Sequence, residues 1–232
     1  MRRRLVGGLL TLGAAAAVVG AYLRVVLPWH RQWGATDDEA RRPLPGDERL
    51  LQPDLQWTRA ISVRASAADI WPWLIQIGQG RAGYYSYPWL EWLLGLQDTR
   101  ADAINPVWQR LDIGDVIPAE AGGGYHVLAL EPERTLVLGE QARDAASEWS
   151  ATQLYPAFTW AFALEEGTDG QTRLIMRMRA RTQRSPLAAL ATLAVDFGAF
   201  WLKRAMLLGI KQHAEQSARI RPFRRASHAT ST

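Results

Sequence analysis

Residues able to do chemistry are thinly spread through this 232-residue chain. His30, His126, His213 and His228 lie far apart, with no spacing that sets two on one face, so a metal site is not expected. HExxH, GxSxG and P-loop motifs do not occur. The chain has no cysteine, which removes thiolate nucleophiles and disulfides and is compatible with either redox compartment. The densest polar and aromatic group is QIGQGRAGYYSY from Gln76 to Tyr87, followed by Glu91. A tyrosine and Arg81 can together polarise a ligand oxygen or stabilise an enolate, with a carboxylate such as Glu91 or Asp115 as base. The structural alternative has Arg81 bonding helix carbonyls and the tyrosines packing a turn. Gly78, Gly80 and Gly83 spell GxGxxG, but a dinucleotide site has a strand before the glycines and βαβ units after them. Here a helix precedes and a strand-rich region follows, so a helix stop and tight turn is the reading preferred, and no cofactor is expected.

The elements that must position these residues follow from periodicity. Ile61 and Val63 alternate with Ser62 and Arg64, as in a half-buried strand, and Ser66 with Asp69 resembles a capping box. Ile70, Trp71, Leu74, Ile75 and Ile77 keep helical spacing, with Pro72 near the first turn where its missing N–H is tolerated. Short strands are expected at Asp115 to Ala119, Tyr125 to Leu130 and Thr135 to Glu140, with a hairpin joining Thr159 to Glu165 and Gln171 to Gln183. The first strand and an uncertain one near Trp149 to Leu154 bring the total to seven.

Alternation puts Trp160, Phe162 and Leu164 together, and likewise Leu174, Met176, Met178 and Ala180, and both sets should face the helix. Such a lining suits an adaptable ligand cavity or plain core filling. Arg173, Arg177, Arg179 and Arg181 point the other way. A solvated outer face is the default for them, with contact to anionic lipid as the runner-up. Despite a net charge of +4, no nucleic-acid partner is expected, because exposed aromatics do not interleave the arginines. The last helix, from about Pro186 to Ala218, carries a stripe of Leu187, Leu190, Ala194, Phe197, Trp201, Ala205 and Leu208. Asp196, Lys203 and Arg204 interrupt it, which argues against a membrane span there.

The N-terminus suggests a location. MRRR precedes Leu5 to Leu23, nineteen residues without a charge, with Tyr22 and Trp29 near the far end. A transmembrane anchor over residues 1–29 is expected in preference to a cleaved signal peptide at Val19-Gly20-Ala21. The expected organisation continues with a tether or extended arm at 30–54, a domain at 55–221 and a flexible tail at 222–232. The protein is expected to be single-pass, with its domain on the extracytoplasmic side.

The run from Gln76 to Tyr87 with Leu90 and Glu91 resembles a signature of the SRPBCC family (START-like, related to polyketide cyclases and dehydrases). Further echoes are WGAT at Trp33, LPGDE at Leu44, IGDVIP at Ile113 and MLLGIK at Met206. Pro88 stands where relatives usually carry an acidic residue. The resemblance implies an α+β helix-grip fold, a curved antiparallel sheet of about seven strands gripping a long C-terminal helix, with a pocket between them. Candidate ligand-binding residues are then Gln79, Arg81, Tyr85 and Tyr87 at the mouth, and Trp160, Phe162, Met176, Met178, Phe197 and Trp201 along the wall. The function so implied is a membrane-tethered START-like domain that binds a lipid or another hydrophobic small molecule. The alternatives are a cyclase- or dehydratase-like enzyme on a hydrophobic carbonyl substrate, and an interaction module with a filled core.

Overall fold

The structure, a computed structural model, describes residues 13, 14, 17, 19–87, 89, 92, 101–119, 124–139, 155–183 and 185–229, with side chains described as far as 220. Six strands form one antiparallel sheet: β1 (Leu55–Val63), β2 (Val116–Pro118), β3 (Gly124–Glu131), β4 (Thr135–Gly139), β5 (Ala157–Glu166) and β6 (Thr172–Arg181). Their order across the sheet is β1-β6-β5-β4-β3-β2. Among the described residues there are thus six strands rather than seven, and the expected strand at 149–154 falls outside those residues.

The helices that accompany the sheet include α1 (Leu27–Arg31), α2 (Asp37–Arg41), α3 (Ala67–Ile75) and the 44-residue α4 (Pro186–Ala229). Helix α4 packs on α3 and β1, so the fold is α+β with the arrangement that the helix-grip resemblance implies. It runs well past Ala218, into the stretch expected to be a loose tail.

Pleating decides which residues make the core. In the β5–β6 register Trp160 lies opposite Met178, Phe162 opposite Met176 and Leu164 opposite Leu174, and β1 adds Trp57 beside Met178 and Ile61 beside Leu174. These residues join Ile70, Leu74, Met206, Leu207 and Ile210 from the helices in one cluster. Phe162, Leu174 and Met176 have no exposed surface, each burial contributing about 1.5–3 kcal/mol. Helix α3 starts at Ser66, whose hydroxyl accepts from the Asp69 amide at 3.2 Å and donates to the Asp69 carboxylate at 2.7 Å.

On the opposite face of the sheet Arg173, Arg177 and Arg179 are covered rather than solvated, contrary to the default expectation, while Arg181 stays exposed. Residues 32–51 lie across it as an ordered arm. Thr36 and Glu39 close a capping box at the start of α2, and Glu39 then takes Arg173 in two bonds of 2.6 and 2.9 Å. Arg177, only 2% exposed, donates to Thr58 Oγ1, to the Glu39 and Arg42 carbonyls and to Asp47 Oδ2 at 2.6 Å. Arg179 meets the other oxygen of Asp47 at 3.1 Å. Burial works against the charge of Glu39, but its bonds to Arg173 and Thr36 hold its carboxyl below the usual carboxylate range. Gly34 lets the arm come close: its φ is +71°, and a Cβ there would stand 2.2 Å from the Ala60 carbonyl oxygen.

The expected single-pass anchor is corrected. Among the described residues no helix is long and apolar enough to cross a membrane. Most of the run from 5 to 18 lies outside those residues. The part that is described turns back onto the domain: a π-helical stretch, Tyr22–Val26, leads directly into α1. Tyr22 and Trp29, the aromatics expected to mark a membrane interface, instead meet Phe197 and Phe200 of α4 with steeply inclined rings, at 6.3 and 5.3 Å between ring centroids. Arg31 binds Asp196 of the same helix at 2.8 Å.

Candidate functional site

The sheet and α4 do not close on each other completely. A cavity of about 330 Å³ lies between them, within the range of small-ligand pockets. Strands supply Trp57, Tyr125, Phe158, Trp160 and Met178, Tyr155 stands just before β5, and α4 supplies Val195, Asp196, Ala199, Leu202 and Lys203. The aromatic walls meet edge to face, Tyr125 against Trp160 at 5.4 Å and against Phe158 at 5.8 Å.

One end of this cavity is charged. Asp196 is 2% exposed, and its carboxylate is shared between Arg31 at 2.8 Å and Arg59 at 3.7 Å. Arg59 itself has no exposed surface; it donates to the His30 carbonyl and lies over the Trp57 ring at 4.1 Å. Burial lowers its pKa to about 10, against the pull of Asp196, so it stays cationic at neutral pH. Burial, with Asp196 adding to it, pushes the Tyr155 phenol up to about 12, which leaves it a neutral hydrogen-bonding group. His30, also fully buried, has its pKa lowered by desolvation. Lys203 stands over Trp160, its Nζ 3.3 Å from the ring centroid.

The Gln76–Tyr87 run is built around itself. Gln76 donates to the Tyr85 phenol at 2.8 Å and accepts from the Asn105 amide and the Gln109 side chain, while the Tyr85 hydroxyl donates to the Trp73 carbonyl at 3.1 Å. Burial raises the Tyr85 pKa further above its ordinary value. Arg81 donates to the carbonyls of Ile75 and Trp108, both at 2.9 Å. The glycine pattern is a turn. The amides of Gly78, Gln79, Arg81, Ala82 and Gly83 all bond protein carbonyls, so none of these N–H groups faces an anion. Gly78 has a φ of +129°, and a Cβ there would stand 2.5 Å from Ile117 Cγ2.

The sequence-predicted site residues therefore fall into separate places. Trp160 and Met178 line the sheet–helix cavity. Phe162 and Met176 are sealed in the core. Phe197 and Trp201 stand together at 6.4 Å, beside Tyr22, His30 and Phe200, at the seam with the N-terminal segment. Tyr85 and Tyr87 line a second cavity, of about 320 Å³, with Ser86, Asp102, Gly209 and His213. Burial lowers the His213 pKa, and its ring stacks on Trp73 at 4.5 Å. Gln79 is tied by its amide to Pro118, and Glu91 lies outside the described residues. Asp115 accepts from the Asp112 amide in an exposed turn.

Sequence reasoning missed Arg59, Asp196 and Tyr155 as site residues. The signal for Arg59 was its phase: it shares the strand face of Leu55, Trp57, Ile61 and Val63, which point inward.

No family model matches the chain, and no curated protein matches it. Solved structures similar to it include protein MLL2253 from Mesorhizobium loti, at 18% identity over 68% of this chain and 97% of that one, with a TM-score of 0.35. CalU16 from Micromonospora echinospora matches at 14% identity over 71% and 86%, with a TM-score of 0.36. A protein from Nitrosospira multiformis matches at 12% identity over 71% and 99%, with a TM-score of 0.41. At such TM-scores these similarities say nothing about what this chain binds.

Proposed function

We propose that this protein binds an apolar small molecule in the cavity between the sheet and α4. The observation that carries the reading is the unfilled space of about 330 Å³ between the sheet and α4, walled by Trp57, Tyr125, Phe158, Trp160 and Met178. An aromatic wall of this kind desolvates a hydrophobic ligand without asking for directional bonds. A cyclase-like reaction needs Arg81 and a tyrosine hydroxyl converging on one substrate oxygen. Arg81 is held by two main-chain carbonyls and Tyr85 by Gln76 and Trp73, so binding is preferred over catalysis.

The test is uptake by the full chain of N-phenyl-1-naphthylamine, an uncharged dye that brightens in apolar surroundings. Wild-type protein is expected to bind it. Met178→Glu, folded by circular dichroism, is expected to lose at least about tenfold in affinity, because an unpaired carboxylate is costly in an apolar wall. A folded variant that binds the dye as wild type does counts against this cavity as the site.

A further inference from the structure

Asp196 brings a carboxylate to a largely aromatic cavity, and its two oxygens are not equally engaged. Oδ2 accepts from Arg31 Nε at 2.8 Å. Oδ1 accepts no hydrogen bond from any described residue: Arg59 Nη2 stands 3.7 Å away, beyond hydrogen-bond reach. The side chain is 1% exposed and lines the cavity, so what fills the cavity decides whether Oδ1 is met. A carboxylate oxygen can only accept, and therefore calls for a donor. Tyr155 lines the same cavity, and no described residue bonds its phenol, which burial keeps protonated and able to donate. The two residues are near enough for the charge of Asp196 to act on the phenol, yet no hydrogen bond joins them, so a group standing between them can bond both.

Charge narrows what that group is. Arg31 and Arg59 already match the carboxylate, which leaves it little to offer a cationic ligand. An anionic ligand would face the carboxylate, while Arg59, with no exposed surface, is closed off between the Trp57 and Phe200 rings. A ligand apolar throughout would shut Oδ1 off from water and put nothing in its place. A neutral hydroxyl donates one bond and accepts another, which answers Asp196 Oδ1 and the Tyr155 phenol together.

Resting on the reading of this cavity as a ligand site, we propose that its ligand is an uncharged hydrophobic molecule ending in a hydroxyl. Its apolar body lies among Trp57, Phe158 and Met178, and its hydroxyl donates to Asp196 Oδ1 and accepts from the Tyr155 phenol. Arg31 and Arg59 hold the carboxylate in place without themselves touching the ligand.

The experiment is displacement of N-phenyl-1-naphthylamine from the full chain by 1-decanol and by decyl methyl ether, two neutral probes that differ in the O–H donor. Decanol is expected to displace the dye at concentrations at least roughly tenfold lower than the ether, the scale of one hydrogen bond to a charged group. Simple partition into an apolar space would favour the ether instead. In Tyr155→Phe, which removes one oxygen and no charge, and in Asp196→Asn, the ratio of the two probes is expected to fall toward one. The ratio is taken within each variant, so a change in dye affinity cancels. Equal displacement from dye-loaded wild type, or a preference for the ether, overturns the hydroxyl assignment and leaves the apolar cavity standing. A decanol preference undiminished in Tyr155→Phe overturns the part given to the phenol, and one undiminished in folded Asp196→Asn overturns the part given to the carboxylate. Failure of wild type to bind the dye or either probe overturns the cavity reading itself, and this inference with it.

Discussion

Arg59 and His30 have no surface in contact with solvent, yet both are ionisable, and the way each is accommodated differs. Arg59 keeps its charge because Asp196 lies 3.7 Å away and aromatic faces of Trp57 and Phe200 flank it. His30 yields its charge. Desolvation lowers its pKa from 6.5, and nearby Arg59 and Arg31 assist, more than Asp196 can offset. His213 is shifted in the same direction by burial. The unfolded chain takes up a proton on each of these imidazoles near 6.5, whereas the folded chain resists it. The unfolded state therefore binds more protons in that window, and stability falls as pH falls below the unfolded value. The urea midpoint of the wild type is thus expected to decline from neutral pH to about pH 5.5, and the decline to be shallower in His30→Gln/His213→Gln. Parallel slopes in the two proteins would sink the assignment. The pairing of Arg59 with Asp196 was half legible. An arginine in phase with inward-facing strand residues, and one aspartate in an apolar helix stripe, are each visible in sequence. That they meet is not visible, because 137 positions separate them and alternation fixes a face, not its neighbour.

At the scale of elements the arm of residues 32–51 is part of the folded domain rather than a leader to it. It brings Glu39 and Asp47 down on Arg173, Arg177 and Arg179, and it buries Leu44 with Ala60, Ala163 and Ile175. The sequence showed acids and prolines in the arm and arginines on β6, and the capping residues Thr36 and Glu39 could have marked α2. It did not show that one covered the other, since an arginine row reads equally well as solvated surface until its partner is placed. The Arg177–Asp47 pair has only 2% and 14% of its side-chain surface exposed, so breaking it should resemble breaking a buried ion pair rather than a surface one. Arg177→Met is expected to cost about 3 kcal/mol in urea unfolding and to admit protease cleavage between residues 34 and 54 of the native protein. A loss below about 1 kcal/mol, with the arm still protected, would mean that Arg179 alone secures Asp47.

For the whole molecule, the decisive question is whether the space beside α4 is a ligand site or a packing fault. The strand pattern told which residues face the helix, and Trp160 and Met178 do line that space. It could not tell how far the helix stands off the sheet, because that distance is set by the bulk of side chains from both layers together, Ala199 against Trp160 for instance. For the same reason the tyrosines of the Gln76–Tyr87 run, expected at the same mouth, belong to a different cavity that they share with Gly209 and His213 of α4. A packing fault and a ligand site respond differently to being filled. Either gains dispersion contacts and apolar burial when Ala199 is enlarged, so Ala199→Leu is expected to raise stability by about 0.5–2 kcal/mol, a few degrees in thermal midpoint. Only a ligand site loses something in exchange. Dye affinity should therefore fall as the midpoint rises, measured on the same preparations. A rise in midpoint with dye affinity unchanged would make the space a fault with the dye bound elsewhere. A fall in both would mean that the leucine overpacks the site and that the room beside α4 is smaller than its walls suggest.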